Sequence, residues 1–372
     1  MRVNHRFIFV ILTVLTVAAC TDRSFTPVVP EALAIGTPYT IYAATTRAKQ
    51  PDGSYGYDRS EQLQRLELTV SIPPAHTPGD LQYAYARPDP ETQFTMAARQ
   101  EIADPAAFRA QINRKLAALP VSDREVTVFV HGYNETQAET AFRAAQLAND
   151  IKLPGAMVIY SWPSQGKSLG YAYDIDSALF ARDGLEQLLF ELRATQARRI
   201  VLVAHSMGSL VVMETMRQID LHDSGWVGRN IGGVLMISPD LDVELFRSQM
   251  KSLSQVPQPF VLFVSGKDRI LDLSAWLRGG KNRERLGNIS GIDQIAEFPV
   301  EVIDTTAFSD DAGSPHFVAG SSPALLALIN KARSVDESFG PDLQRLDVLL
   351  PGKLVRRNRA TRVTVLPLEG GR

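Results

Sequence analysis

The chain has 372 residues, 45% of them hydrophobic and 22% charged, with a formal net charge of −2. It is long enough for one large domain with extensions and apolar enough to bury a core, which excludes a disordered or low-complexity protein. The near-neutral charge gives no reason to expect a nucleic-acid partner.

Arg2 and Arg6 precede an almost wholly apolar run, Phe7 to Val17, closed by Val17-Ala18-Ala19-Cys20. The run is shorter than the roughly 20 residues that span a bilayer. The pattern resembles a bacterial lipoprotein signal, with residues 1–20 as signal and Cys20 as the lipidated residue. An ordinary signal peptide or short anchor is the alternative. Cys20 is the only cysteine. A disulfide within the chain and a thiol nucleophile in its body are both excluded, and attachment is the use left for it. The resemblance implies a lipid anchor on a membrane facing the periplasm. Thr21, rather than Asp, after the cysteine implies sorting to the outer membrane.

Residues 21–36, with Pro27, Pro30 and Gly36, read as a tether. Strand-like runs follow at Tyr39–Ala44, Leu66–Ile72 and Tyr83–Tyr85, and a helix is expected from Pro105 to Leu119. From residue 125 strands alternate with helices. Strands are expected at Val126–Val130, Met157–Tyr160, Ile200–Val203, Ile231–Ile237, Phe260–Val264 and Val300–Ile303. Helical spacing marks Glu139–Asp150, Asp174–Leu192, the stretch after Ser206 and Ala324–Ala332. Such alternation predicts an α/β protein with a mostly parallel central sheet and helices on both faces. The domain is placed at 37–335. The C-terminal extension, 336–372, reads as a peripheral hairpin or loose tail with a basic face, the sharper alternative being contact with anionic head groups.

Ala204-His205-Ser206-Met207-Gly208 lies between a strand and a helix. Small residues two before and two after a serine permit the tight turn of an α/β-hydrolase nucleophile elbow, which presents the hydroxyl at the carboxyl edge of the sheet. Such a serine needs a base, and the base needs an orienting acid, in the chain order serine, acid, histidine. Of six histidines only His222 and His316 follow the serine and its neighbour. His222 falls beyond the elbow helix, at the wrong end of the sheet. His316 falls after the last core strand, where the base belongs. Asp268, directly after a buried strand, is the expected acid. Asp240 is the main competitor, and Asp242, Asp304, Asp310 and Asp311 are further options. For the oxyanion the expected donors are the backbone N–H groups of Met207 and, in His131-Gly132-Tyr133-Asn134, of Tyr133. His131 is expected to brace that loop. Trp162, at a strand end beside the elbow, is a candidate substrate-binding wall; the alternative is a core tryptophan locking its loop. Residues 270–298, with Leu271, Trp276, Leu277, Lys281, Arg283 and Arg285, are a lid or lipid-facing flap, or an inert loop.

Taken together, Ala43-Ala44-Thr45-Thr46-Arg47, Ser71-Ile72-Pro73-Pro74, Phe129-Val130-His131-Gly132-Tyr133-Asn134, Ser161-Trp162-Pro163-Ser164 and the elbow resemble, in order, a bacterial family of α/β-hydrolases of unassigned function. Members are described as esterase- or lipase-like and carry lipoprotein signals. The resemblance covers about residues 39 to 330. It implies Ser206 as nucleophile with Asp268 and His316. Where the family has Asn after the elbow glycine, this chain has Ser209. The expected activity is hydrolysis of carboxylic esters, lipids among them, with no metal or organic cofactor. Acyl transfer, thioester or peptide cleavage by the same triad, and a non-catalytic envelope interaction protein, are the alternatives.

Overall fold

The computed structural model describes residues 22–167, 169–279, 284–289, 291–330, 353–358 and 361–365. The expected signal and Cys20 lie outside the described residues, as do the 335/336 boundary, Lys281 and Arg283.

Three long antiparallel strands lead in: β1 (Thr37–Lys49), β2 (Tyr55–Ile72) and β3 (Thr95–Glu101). Helix α1 (Pro105–Ala117) connects them to six parallel strands, β4 (Glu125–Val130), β5 (Ala156–Ser161), β6 (Arg199–His205), β7 (Ile231–Ile237), β8 (Phe260–Val264) and β9 (Glu301–Asp304). The crossovers hold α2 (Gln137–Asp150), α3 (Tyr171–Arg193), α4 (Gly208–His222), α5 (Trp226–Asn230), α6 (Val243–Ser252) and α7 (Arg269–Leu277). The short α8 (Val318–Ser321) and helical residues 323–330 follow β9. A hairpin of β10 (Lys353–Asn358) and β11 (Thr361–Val365) closes one edge. The sheet order is β10-β11-β9-β8-β7-β6-β4-β5-β1-β2-β3.

Side-chain alternation divides the core between two faces. Val126, Val128 and Val130 of β4 point to one face with Leu185 and Leu188 of α3 and Val211 and Val212 of α4. Phe129 points to the other, with Ala141, Phe142 and Ala145 of α2. Helix starts are fixed by capping. Asp104 accepts from the Ala106 and Ala107 N–H groups ahead of α1, and Thr136 with Glu139 forms a capping box on α2. No helix among the described residues is long and apolar enough to cross a membrane.

Two expectations change. The third lead-in strand is Thr95–Glu101, not Tyr83–Tyr85. The alanines and glutamine of that stretch disguise it, but pairing along the long β2 ladder overrides their weak strand preference. Tyr83 and Tyr85 instead turn their hydroxyls to Glu139. The segment from Asp22 to Gly36 is not a free tether. Val29 N–H donates to Met96 O at 2.8 Å, Ser71 Oγ donates to Ala32 O at 2.8 Å, and Arg23 pairs with Glu139 at 2.7 Å. The expected C-terminal hairpin is present as β10 and β11 at the sheet edge, with β11 parallel to β9.

Candidate active site

The turn after β6 explains its own sequence. Ser206 has φ of 51°, the left-handed region that side chains rarely occupy, so its hydroxyl stands on a strained bend. Its N–H donates to Ile237 O at 3.0 Å, and its carbonyl accepts from Asp240 N–H at 3.1 Å. A Cβ on Gly208 would lie 2.4 Å from Val130 O, and one on Gly132 would lie 2.9 Å from the Ser206 Cβ. Glycine is therefore required at both positions, and the loop after β4 lies directly against the elbow. Met207 opens α4, where the first amides of a helix have no partner within it. Tyr133 lies in the β4 loop; its hydroxyl donates to Lys167 O at 3.2 Å and its ring meets Tyr171 at 5.3 Å between centroids.

His316 sits in the loop between β9 and α8, buried, with Nδ1 2.8 Å from Asp268 Oδ2. Asp268 is held from its other side. Its Oδ1 accepts from the N–H groups of Ile270 and Leu271, so the same carboxylate caps α7. A carboxylate acceptor at Nδ1 fixes the proton on that nitrogen and leaves Nε2 as the basic one. His205, next to the serine, holds the loop of His316: its Nε2 is 3.3 Å from His316 O and the two rings are 5.0 Å apart.

The competing acids are occupied elsewhere. Asp240 takes Arg285 Nε at 2.6 Å, Ser274 Oγ at 2.7 Å and Tyr171 Oη at 2.8 Å. Burial alone would raise its pKa, but Arg285 and Arg278 outweigh that and hold it below the ordinary value. Asp242 caps α6, Asp304 accepts from Thr306 N–H, Asp310 pairs with Lys267 and Asp311 accepts from Ser322 Oγ. His222 is on the surface near Glu186.

Trp162 is not a pocket wall. It is fully buried, stacked on His131 with ring centroids 4.9 Å apart, and its Nε1–H donates to His131 O at 2.8 Å. A ring with no exposed surface cannot line a substrate site; it locks the β4 loop from behind. Arg285, grouped above with the basic residues of the 270–298 insertion, is likewise buried on Asp240.

The residue that joins these loops is Arg47, whose role its sequence motif did not disclose. Its guanidinium is fully buried at the end of β1. It donates to Ser161 Oγ at 2.9 Å, Ser164 O at 2.9 Å, Gly56 O at 3.0 Å and Glu135 O at 2.7 Å. A planar five-donor fork suits such divergent acceptors. Burial lowers its pKa to about 10, and burial with the nearby Arg47 charge lowers that of His131 to about 4. His131 is thus neutral at pH 7, and its single N–H braces the loop through one of the two carbonyls beside it, Gly132 O at 2.8 Å from Nδ1 or Trp162 O at 3.1 Å from Nε2. Glu135, also unforeseen, lies 3.2 Å from His205 Nδ1. Burial would raise its pKa, but the bond and charge of His205 prevail and bring it to about 2. A chargeable partner two loops away leaves no mark in a single sequence.

Chemically, the arrangement offers a serine on a strained turn, a histidine with an anionic orienter, and amides at a helix start. This is the equipment of nucleophilic acyl transfer. The 470 Å³ groove lined by Arg109, Asp183 and Phe190 on the outside of α1 and α3 includes none of these residues.

A sequence model of the family described as "Alpha/beta hydrolase of unknown function (DUF900)" matches residues 104–333, more than half of the chain. The fold is accordingly the α/β-hydrolase fold. Among solved structures, a lipase B from Aspergillus fumigatus aligns at 14% identity over 68% of this chain, with a TM-score of 0.36. The chain spans 61% of the length of that lipase. An α/β-hydrolase from the metagenome of Lake Arreo, Spain aligns at 11% identity over 74% of this chain and 85% of its own, TM-score 0.27. Esterase 2 of Thermogutta terrifontis aligns at 13% identity over 64% of this chain and 80% of its own, TM-score 0.25. No curated protein matches the sequence.

Proposed function

From the premise that the chain belongs to the DUF900 family of α/β-hydrolases, we propose that it is a membrane-anchored serine hydrolase cleaving carboxylic esters. The observation that carries this reading is the buried 2.8 Å contact of His316 Nδ1 with Asp268 Oδ2, beside a serine held at positive φ. In this reading His316 Nε2 takes the Ser206 proton as Oγ attacks the ester carbonyl. The Met207 and Tyr133 N–H groups receive the oxyanion, and His316 returns the proton to the departing alcohol. Water, deprotonated by His316, then releases the acid and restores Ser206. Asp268 keeps the imidazole in its working tautomer. Cys20 is the proposed anchor.

Labelling by a fluorophosphonate probe tests the nucleophile. Wild type should label, and Ser206→Ala should not; an unlabelled, well-folded wild type overturns the enzyme reading. Cys20→Ala should release the protein from the membrane fraction; unchanged fractionation overturns the anchor.

A further inference from the structure

Helix α7 begins one residue after Asp268 and presents apolar side chains outward as well as inward. Leu271, Ser274 and Ala275 are buried. Ile270, Leu273, Trp276 and Leu277 are 48%, 54%, 62% and 47% exposed. At about 100° per residue these four fall within an arc of roughly 120°, a continuous ridge. A short helix that is apolar on both faces has an outer face shaped to be covered.

The ridge is linked to the chain's N-terminal segment through the loops between them. Arg23 spends its donors there. Its Nη1 donates to Asn134 Oδ1 and Gly166 O, each at 2.9 Å; Nη2 donates to Asn134 O at 2.9 Å and to Glu139; Nε donates to Tyr85 Oη at 3.1 Å. The neighbouring loop continues this contact. Tyr133 donates to Lys167 O and packs on Tyr171, whose hydroxyl accepts from Arg278 Nε at 2.8 Å, at the end of α7. Leu169, in that loop, is 99% exposed. A chain of contacts thus runs from the Arg23 segment past the β4 loop to the end of α7.

Cys20 precedes Asp22 by two residues, at most about 7 Å of extended chain. An anchor there would hold this rim at the bilayer surface, with α7 facing the lipid. The exposed cations Arg269 and Lys167 stand on the rim beside the exposed carboxylates of Asp272, which accepts from Asn288 Nδ2 at 2.8 Å, and of Asp22, so the apolar ridge rather than charge carries the contact with lipid. A second copy of the chain is a poorer occupant. The apolar part of the rim is one nine-residue helix about 13 Å long, a small share of the roughly 800 Å² per partner that a stable dimer buries. We infer that the rim formed by α7 and the Arg23-clasped N-terminal segment docks on a lipid bilayer, and that the esters reaching Ser206 are bilayer-resident ones. The substrate half of this inference rests on the hydrolase reading above.

Tryptophan fluorescence reads the contact directly. Of the three tryptophans, Trp162 and Trp226 are buried and Trp276 is the exposed one. Full-length Cys20→Ala protein, unable to be acylated, is mixed with phosphatidylethanolamine and phosphatidylglycerol vesicles carrying brominated acyl chains, with Trp276→Phe as background. Docking predicts quenching lost in Trp276→Phe. It also predicts about a tenfold or greater loss of activity on vesicle-embedded long-chain esters in Leu273→Glu/Trp276→Glu, with hydrolysis of soluble p-nitrophenyl acetate unchanged. Absent quenching, unchanged vesicle activity in the double variant, or a wild-type dimer that the variant dissolves would each overturn the inference. Fluorophosphonate labelling of the same samples separates the two readings. Labelling without quenching leaves the hydrolase and removes the docking face; quenching without labelling does the reverse.

Discussion

Asp268 serves two partners through its two oxygens, and substitutions there can separate them. Oδ1 accepts from Ile270 N–H at 3.1 Å and Leu271 N–H at 3.3 Å; Oδ2 faces His316 Nδ1 at 2.8 Å. Asp268→Asn keeps an acceptor for the α7 amides, so stability should change by less than about 0.5 kcal/mol. It removes the anion behind His316, and an amide NH₂ facing Nδ1 would select the wrong tautomer. The expected loss in kcat is about 10⁴-fold, roughly 5.5 kcal/mol of transition-state stabilisation. Asp268→Ala loses the cap as well, about 1 kcal/mol and about 2 °C in melting temperature for a domain of this size. Steady-state hydrolysis of p-nitrophenyl butyrate and thermal unfolding measure both quantities. If Asp268→Asn kept activity within tenfold of wild type while Asp240→Asn abolished it, the orienting acid would be Asp240 and the reasoning from the His316 contact would fail.

Three further outcomes follow from the braces around the site. His131 binds its proton more weakly folded, at about 4, than at the ordinary 6.5, so the unfolded chain takes up more protons between those values. Its contribution to stability is complete above pH 6.5 and is lost as pH falls toward 4, about 3 kcal/mol at most. Urea unfolding of wild type and His131→Gln should show the wild type losing more stability across that window; parallel pH curves would contradict this. Arg47→Lys replaces a five-donor fork by three donors on a point charge and strands at least one buried acceptor among Ser161 Oγ, Ser164 O, Gly56 O and Glu135 O. A loss of about 2–3 kcal/mol is expected, and kcat should fall more than KM rises; wild-type stability by urea unfolding would refute it. Trp162→Phe keeps the stack on His131 but removes the donor to His131 O, costing about 1–2 kcal/mol. Preference among acyl chain lengths should not change; a shifted profile would return Trp162 to the substrate site.

Local chemistry makes much of the chain legible in its sequence. Strands β7 and β8 fall where their apolar runs begin and end, because strands buried on both faces leave no other signal to confuse them. The elbow was legible because its steric demand for small residues at Ala204 and Gly208 is written within five positions. His316 was reached by elimination, since few histidines lie after the serine. Strand β3 was not legible, because its residues favour no structure alone and its partner, β2, lies more than twenty residues earlier.

The sequence by itself determined the parallel sheet, the tight turn at Ser206 and His316 as the candidate base, since each follows from periodicity, from sterics within a turn or from chain order. Only the tertiary structure decided which of Asp268 and Asp240 meets His316, since they stand in similar turns and differ in what reaches them across the molecule: His316 for one, Arg285 and Tyr171 for the other. It also moved Trp162 into the core, drew the supposed tether onto the β4 loop through Arg23, and gave Arg47 its central position. In each case the deciding contact joins residues far apart in the chain, so its geometry exists only once the sheet has assembled.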